Sequence, residues 1–325
     1  MRIFLFFLVL ACTQNSFSQT CCSGGVPLSN NIGLPNEGKG SLFFGLTYDY
    51  NNLNTLNAGK QRLNDDSRLR ITNSVLLSLG YAFTDRISIE SLLTWVNQSR
   101  TITQFGNESL TETSGIGDGI FLIKYALTNV LGKNSIMSFG GGIKLPFGRS
   151  DLLTDQGIQL TADLQPGSGA LDYVALFSTS KNLVFRPSAT ISGSATFRFT
   201  GVNKDYLNGA ATYEFGDEVQ LNVGYTDQLI FFNTIFSPGL IIKYRKAQID
   251  RIDNSNLPNT GGEWIFVRPE LFVYISPSIS LFSRLEIPIY SYVDGTQLTP
   301  TLRFSGGLNL KFRKKNDIKS NKVIN

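Results

Sequence analysis

Apolar and polar residues alternate along most of the chain. In the stretch from Arg68 to Phe83, apolar residues occupy almost every second position, and most residues between them are polar or charged. Successive side chains of a β-strand point to opposite faces, so a period of two indicates a strand with one apolar face. The pattern recurs in residues 184–199 and 302–312. The apolar phase of the first stretch consists of Leu69, Ile71, Val75, Leu77, Leu79 and Tyr81.

The alternation predicts about twelve strands. Their predicted boundaries are 41–52, 68–83, 86–104, 116–128, 134–147, 167–179, 182–199, 217–228, 234–248, 262–275, 278–291 and 298–313. Many of these segments exceed about ten residues, whereas the usual strand has about five or six. A tilted strand that crosses a bilayer needs about 9–11 residues, so the predicted lengths favour membrane strands.

The connections alternate in length. Short turns are predicted at 84–85, 129–133, 180–181, 229–233 and 276–277, and longer loops at 53–67, 105–115, 148–166, 200–216, 249–261 and, less extended, 292–297. Short turns at one rim and long loops at the other are typical of outer-membrane barrels, whose short turns face the periplasm. The predicted fold is therefore all-β: a transmembrane antiparallel up-and-down β-barrel of about 12 strands, of the outer-membrane type.

A soluble β-sandwich is the alternative, because its strands also alternate and the sequence does not say which face points inward. Strand length, loop asymmetry and an export signal favour the barrel. Four prolines each remove a hydrogen-bond donor from a predicted strand, so in a closed barrel they are expected at bulges or strand ends. These prolines are Pro187, Pro238, Pro269 and Pro288.

Aromatic residues are expected where strands return to the periplasm. Four of them lie in phase with the apolar face, namely Tyr81, Tyr125, Tyr225 and Phe312. Tyr274 breaks this phase, which indicates either a bulge or an incorrect register at that point.

Residues 1–18 have the form of a secretory signal peptide. Arg2 is followed by the short apolar run 3–11, and small residues lie around a predicted cleavage site before Gln19. The run is shorter than the roughly 20 residues that a membrane-spanning helix needs. The chain is therefore expected to be exported and located in the outer membrane.

The cysteines allow other interpretations of the first residues. Cleavage at a lipidated Cys12 competes with cleavage before Gln19, although Leu10 fits a lipoprotein signal poorly. Cys21 and Cys22 are adjacent and cannot join distant parts of a fold. A plain N-terminal tether, a strained vicinal disulfide and a soft-metal site all stay open for this pair.

The composition excludes several classes of function. The chain has no histidine, which removes Ser-His and Cys-His catalysis and histidine-ligated metals. The formal charge of +4 is too small to indicate a nucleic-acid partner. The glycines of Gly115–Gly119 precede a predicted strand rather than a helix, so they are no phosphate-binding loop. The prediction is a protein that is not an enzyme and needs no cofactor or metal.

The polar phase of the strands supplies candidates for residues that line the lumen. Charged side chains on the lipid side would each cost roughly 2–4 kcal/mol near the bilayer midplane, so their shared phase is expected to face inward. They serve either to cross-link and fill a narrow barrel or to line a solute path that selects polar or anionic groups. The candidates are Asp49, Arg70, Glu90, Asp118, Lys124, Lys144, Asp172, Arg186, Arg198, Glu218, Lys243, Arg245, Arg268, Glu270, Arg284, Glu286, Arg303 and Lys311.

The chain divides into four predicted regions. After the signal peptide, residues 19–40 form an N-terminal periplasmic or lumenal segment, residues 41–313 the barrel, and residues 314–325 a basic periplasmic tail. The last strand, Ser305 to Phe312, is similar to the signal by which outer-membrane barrels are recognised for assembly. The barrel assembly machinery, the lipid bilayer and a small-molecule solute are the expected partners.

Several short segments resemble the outer-membrane barrel family named for the MetA pathway of phenol degradation. They are Gly115–Asp118, Ile123–Tyr125, Lys144–Gly148, Gly167–Gly169 with Asp172, Ser237–Leu240, Pro288–Tyr290 and Gly295–Gln297. The resemblance implies an outer-membrane location and transport of hydrophobic or aromatic compounds. It carries over no catalytic or binding residues.

The expected function is the passive or gated passage of a small, hydrophobic or aromatic solute. The alternative is a non-conducting barrel that acts as a structural or surface-binding protein through its long loops. The solute, the state of the lumen and the oligomeric state do not follow from the sequence.

Overall fold

Within residues 38–313, twelve long strands form the barrel wall in chain order, each paired in antiparallel fashion with the next. A further strand, Asn107–Ile116, extends the hairpin of the third and fourth wall strands. The computed structural model describes residues 38–313. The strands are β1 (Leu42–Ala58), β2 (Arg68–Ala82), β3 (Ile87–Gln104), β4 (Gly119–Thr128), β5 (Ser135–Leu145), β6 (Asp172–Asn182), β7 (Ala189–Phe199), β8 (Glu218–Asp227), β9 (Thr234–Ala247), β10 (Gly262–Ser276), β11 (Ile279–Val293) and β12 (Thr296–Phe312). Strand β12 pairs with β1, from Leu42 opposite Phe312 to Ala58 opposite Thr296, and closes the barrel. The prediction of an all-β barrel with about twelve strands is confirmed.

The outward and inward faces follow the predicted phases. Outward apolar side chains are widely exposed, as at Ile123 (65%) and Val223 (63%). Charged side chains of the other phase are buried, as at Lys144 and Lys243, each 1% exposed. An apolar outside around an ionic inside is the reverse of a soluble sandwich. Within residues 38–313, no helix is long and apolar enough to cross a membrane.

Two predicted loops contain strand. In the loop expected at 53–67, β1 continues to Ala58 and pairs with Gln61–Arg62. Residues 105–115 were expected to be irregular, but Asn107–Ile116 pairs with the second half of β3. The chain reverses at Phe105 and Gly106, both of which have positive φ angles. A two-residue turn of this kind matches the twist of a hairpin, so the strands continue almost to the reversal.

The connection between β6 and β7 also differs from its prediction. Strand β6 continues through the expected turn at 180–181, and the reversal occupies residues 183–188 instead. Pro187 lies in this reversal and has no amide hydrogen to donate to a ladder. Strand β7 therefore begins at Ala189 rather than at residue 182.

The other prolines lie where a ladder ends or is irregular. Pro238 is one residue before the last pair between β9 and β8, at Gly239. Pro269 falls in a gap of the pairing between β10 and β11, and Pro288 borders a register shift between the same strands. The structure thus agrees with the expectation for prolines in a closed barrel.

The four aromatic residues predicted in phase with the apolar face at the short-turn rim lie on that face. Tyr81, Tyr125, Tyr225 and Phe312 are all exposed on the outward face. Tyr274 shares the parity of the inward residues Arg268 and Glu270, and its strand pairs with β9 without a register shift up to this point. The register shift between β10 and β11 follows Tyr274, so a bulge does not account for its break of phase.

The long loops at the other rim pack together into a cap. Four two-residue strands form a separate small sheet, and residues of three loops contact one another in an apolar cluster. The small sheet consists of Val202–Asn203, Tyr213–Glu214, Arg251–Ile252 and Ser255–Asn256. The cluster consists of Ala162, Tyr206, Tyr213 and Phe215, with Ile252 and Leu257 of the third loop packed against it. The predicted signal peptide, most of the 19–40 segment with Cys21 and Cys22, and the tail 314–325 lie outside the described residues.

Candidate solute path: the interior of the barrel

The strands place most of the predicted lumen residues on the inner face. Sixteen of the eighteen candidates are buried, with residue exposures of 8% or less or side-chain exposures of 14% or less. Fifteen of these lie on strands, and Asp118 lies directly before β4. Arg186 lies in the reversal between β6 and β7, where its half-exposed side chain pairs with Asp227. Lys311 is near the end of β12 and is partly exposed.

Lys144 is the centre of a buried ionic cluster. Its Nζ lies 2.6 Å from a carboxylate oxygen of Asp118 and 3.0 Å from one of Asp172, and it also contacts the Ser168 hydroxyl. The Ser168 amide and hydroxyl donate to the same oxygen of Asp118, at 3.0 and 2.7 Å. Two carboxylates and a hydroxyl thus surround a single ammonium group. The cluster ties the loop of residues 146–171 to the ends of β5 and β6.

Two glycines let this loop cross itself closely. A Cβ at Gly167 would lie 2.3 Å from the Gly148 carbonyl oxygen, and a Cβ at Gly148 would lie 2.6 Å from the Gly167 Cα. No larger residue fits such a backbone contact. Segments that were separate in the sequence resemblance, including 115–118, 144–148 and 167–172, therefore meet in one cluster.

The same loop contacts the inner wall at Asp163. A carboxylate oxygen of Asp163 accepts a hydrogen bond of 2.9 Å from Arg70 on β2. The loop carbonyl of Leu164 accepts a hydrogen bond of 2.7 Å from the Thr113 hydroxyl. Asp163 was missed from the sequence because a loop residue has no strand phase that could assign it to a face.

Ion pairs cover the wall formed by β8 to β12 and β1. Lys243 pairs with Glu286 at 3.1 Å, although β10 lies between their strands. The other pairs join neighbouring strands: Arg245–Glu218 at 2.9 Å, Arg284–Glu270 at 3.3 Å and Arg303–Asp49 at 3.0 Å. Burying two charges costs about as much as their attraction returns, so an intact pair of this kind adds little net stability.

Aromatic rings alternate with the charges on this wall, which we call the ionic wall. The Lys243 ammonium lies 5.3 Å from the ring centre of Phe266, and the Arg245 guanidinium lies 5.1 Å from that of Trp264. Arg284 lies 4.5 Å from the ring centre of Phe282. Such cation–π contacts stabilise a partly desolvated charge. The wall therefore offers both charge and apolar surface.

The opposite wall carries an apolar stripe that the sequence phase did not single out. Its side chains are inward, almost fully buried and in mutual contact. Strands β2 to β6 lie across the barrel from β8 to β12, so the stripe faces the ionic wall. The stripe consists of Leu76, Leu92, Ile120, Leu122 and Val174.

A cavity of about 290 Å³ opens at the short-turn rim. Phe43 and Ala82 contribute apolar surface to it, and Lys124, Lys311 and Arg313 contribute positive charge. Lys124 is paired with Glu90 at 2.7 Å. This mouth combines the same two kinds of surface as the interior.

The fold resembles that of a solved outer membrane channel from Pseudomonas putida F1. The two chains are 16% identical, the match covers 88% of this chain and 100% of the channel, and the TM-score is 0.66. This is an outer-membrane-type barrel. At 16% identity, this likeness shows the fold alone.

Two other solved barrels match with lower scores. The β domain of the Bordetella autotransporter Brka has a TM-score of 0.46 at 10% identity, and the match covers 84% of this chain and 100% of that domain. The CymD monoaromatic hydrocarbon channel has a TM-score of 0.41 at 8% identity, with 86% and 90% covered. No protein-family model matches the sequence, and the search of curated proteins gives no match.

Proposed function

We propose that the chain is an outer-membrane channel for a small hydrophobic or aromatic solute. The observation that carries this proposal is the apolar stripe on the inside of the barrel. A purely hydrophilic pore gains nothing from apolar side chains at these positions. The stripe side chains are 0–3% exposed, so a solute contacts them only after the packed interior opens. Each square ångström of apolar solute surface that is then removed from water contributes about 25 cal/mol, which lowers the free energy of the solute in transit.

Two further features support the proposal. The barrel has the fold of a solved outer membrane channel. Its sequence segments resemble the MetA-pathway barrels, and that resemblance implies hydrophobic or aromatic substrates. Passage is passive or gated, and the loop of residues 146–171 is the segment that a gate would have to move, since Asp163 holds it against the inner wall.

The proposed location is the outer membrane, with the short turns in the periplasm. The chain reaches it through a signal peptide cleaved before Gln19. The assembly machinery recognises β12 through Ser305 to Phe312, and the outward apolar band contacts lipid. The described inner-face charges act as lumen-lining residues.

Hydrophobic-probe uptake by intact Gram-negative cells tests the channel. N-phenyl-1-naphthylamine fluoresces once it has passed the outer membrane, and cells that carry the protein are expected to show at least a twofold faster initial rise than cells without it. Replacing Leu92 and Leu122 by Asn should remove most of this gain, because both side chains belong to the stripe.

Leu153→Asn is the matched control, since Leu153 is 52% exposed in a loop. Its cells should take up the probe like wild type, with equal amounts of folded barrel verified by heat-modifiable gel mobility. Equal probe uptake with and without the wild-type protein would contradict the proposed function.

A non-conducting, surface-binding barrel is the second candidate, and the ordered cap favours it. The cap has its own small sheet and apolar cluster, as expected of a surface that holds a fixed shape. Planar-bilayer recordings separate the two functions. Unitary current steps from folded protein support a channel, and silence supports the surface role.

A further inference from the structure

We propose that Arg268, on the inner face of β10, binds the carboxylate of an organic acid whose body is apolar. The inference rests on the proposed function and narrows its substrate class from hydrophobic solutes to amphipathic anions. Its starting point is a buried guanidinium group, two of whose nitrogens have no hydrogen-bond partner within residues 38–313.

Arg268 is 4% exposed, and its Nε and Nη1 atoms are buried without a hydrogen-bond partner within residues 38–313. The nearest carboxylate oxygen, on Glu270, lies 3.8 Å from Nε, which exceeds hydrogen-bonding distance. A guanidinium group stays charged in proteins and offers five donors. A buried donor left without an acceptor costs about 1–3 kcal/mol, and more when it is charged. An anion that accepts these hydrogen bonds removes that cost.

The charged groups around Arg268 have a net positive charge, which one more negative group would neutralise. Glu270 is shared, because it also lies 3.3 Å from Arg284. The nearby carboxylates of Glu286 and Asp49 are paired with Lys243 and Arg303. Among the described residues, this part of the ionic wall thus has four basic groups and three acidic ones. A monovalent carboxylate would balance it.

The surroundings favour an organic acid over a small inorganic anion. Phe266 lies two residues away on the same face of β10, and Phe272 and Phe282 lie beside Arg284. The apolar stripe lies on strands across the barrel from β10. A carboxylate with an aromatic or short aliphatic body would place its charge at Arg268 and its body against these apolar surfaces. Bidentate pairing with a carboxylate is the geometry that a guanidinium favours.

Tryptophan fluorescence can report this binding directly. The chain has two tryptophans, and Trp264 lies on the inner face of β10, four residues from Arg268. The other, Trp95, is 51% exposed on the outer face and can be replaced by Phe. In purified, folded W95F protein, benzoate should change the Trp264 emission in a saturable manner. Neutral benzamide, which has the same ring, should bind at least tenfold more weakly.

Substitutions at Arg268 and at Glu270 are expected to change the affinity for benzoate in opposite directions. Arg268→Gln should weaken benzoate binding at least tenfold, and Arg268→Lys should weaken it less, because the charge is kept but the planar fork is lost. Glu270→Gln should strengthen binding threefold or more, because it removes the carboxylate that competes for Arg268. Arg62→Gln, at an exposed arginine of the long-loop rim, should leave binding unchanged.

The results of these experiments distinguish failure of the Arg268 site from failure of the proposed channel function. Wild-type affinity in Arg268→Gln, equal affinity for benzamide, or no saturable change would each overturn the anion site, whatever the naphthylamine uptake shows. Benzoate binding that depends on Arg268 in a protein without probe uptake would uphold the site and contradict the channel. If Arg268→Gln fails to fold, unchanged or weaker binding in Glu270→Gln still overturns the site.

Discussion

Single buried charges determine how the interior of this barrel is held together. Lys144 lies within 3.0 Å of carboxylates from two segments, and the side chains of all three residues are at most 3% exposed. Removing one partner of a buried pair leaves an incompletely compensated charge and typically costs about 3–5 kcal/mol. The cluster therefore matters most when it is broken.

Asp118→Asn is expected to lower the free energy of unfolding by about 3 kcal/mol, since Lys144 keeps only Asp172 as a charged partner. The Asn side chain has nearly the same shape, so the effect isolates the lost charge. Urea unfolding of the protein in lipid vesicles measures it. Asp151→Asn breaks an ion pair whose side chains are 59% and 67% exposed, and it should leave the unfolding curve unchanged. Coincident curves for Asp118→Asn and wild type would be inconsistent with the assigned role of the cluster.

At the scale of elements, the stability of the cap depends on the protonation of a buried carboxyl group, that of Asp250. Burial raises the pKa of Asp250, although hydrogen bonds from the Tyr213 hydroxyl and the Gly216 amide act in the opposite direction. Burial also raises the pKa of Tyr213 well above its ordinary value, so this hydroxyl stays a donor. The cap thus folds more readily around a neutral Asp250 than around a charged one.

The sign of the pH effect follows from that shift. Below the ordinary carboxyl pKa of about 4, Asp250 is neutral in the folded and the unfolded cap, and burial costs nothing extra. As pH rises through the raised pKa, the folded cap must hold a buried charge, so its stability falls. Hydrogen exchange of peptides from residues 199–217 and 248–261, corrected for intrinsic rates, should show this loss. Asp250→Asn should abolish the pH dependence, and an unaltered dependence in that variant would rule Asp250 out as its source.

The strands make a second prediction, on the outer face of β4. Ile123→Arg places a charge on a side chain that is 65% exposed toward the proposed lipid, which costs roughly 2–4 kcal/mol near the midplane. The yield of folded barrel in vesicles should fall. Leu110→Arg changes a side chain that is 59% exposed on the strand Asn107–Ile116, on the long-loop side of β4. The yield of folded barrel for this variant should match that of wild type. Equal losses in both variants would place this face outside the bilayer.

Element boundaries show where sequence patterns stop being informative. Strand β2 was predicted within one residue, because alternation runs through it and a short turn follows. Strands β6 and β7 were displaced, because polar and apolar residues also alternate through the reversal that Pro187 imposes. Arg186 was assigned to the inner face for the same reason, since its position has the right parity but lies outside any strand.

At the scale of the whole molecule, the fold was predictable and the interior only partly so. Parity assigns each strand residue to a face, so burial of Lys243 and exposure of Ile123 both follow from the residue sequence. Parity does not assign loop residues, and Asp163 was missed for that reason. It also does not reveal which inward side chains touch across several strands, so the apolar stripe around Leu92 needed the structure.

Because β1 pairs with β12, the barrel closes only when its last strand is present. Leu42 and Phe312 are about 270 residues apart in sequence, so among the described strand pairs this contact carries the largest loop-closure cost. A polypeptide interrupted before Thr296 would keep a row of unsatisfied amides and carbonyls along β1. Such a bare edge is a template for aggregation. A chain that lacks β12 is therefore expected to aggregate, whereas the closed barrel leaves neither of these two strands with an unpaired edge.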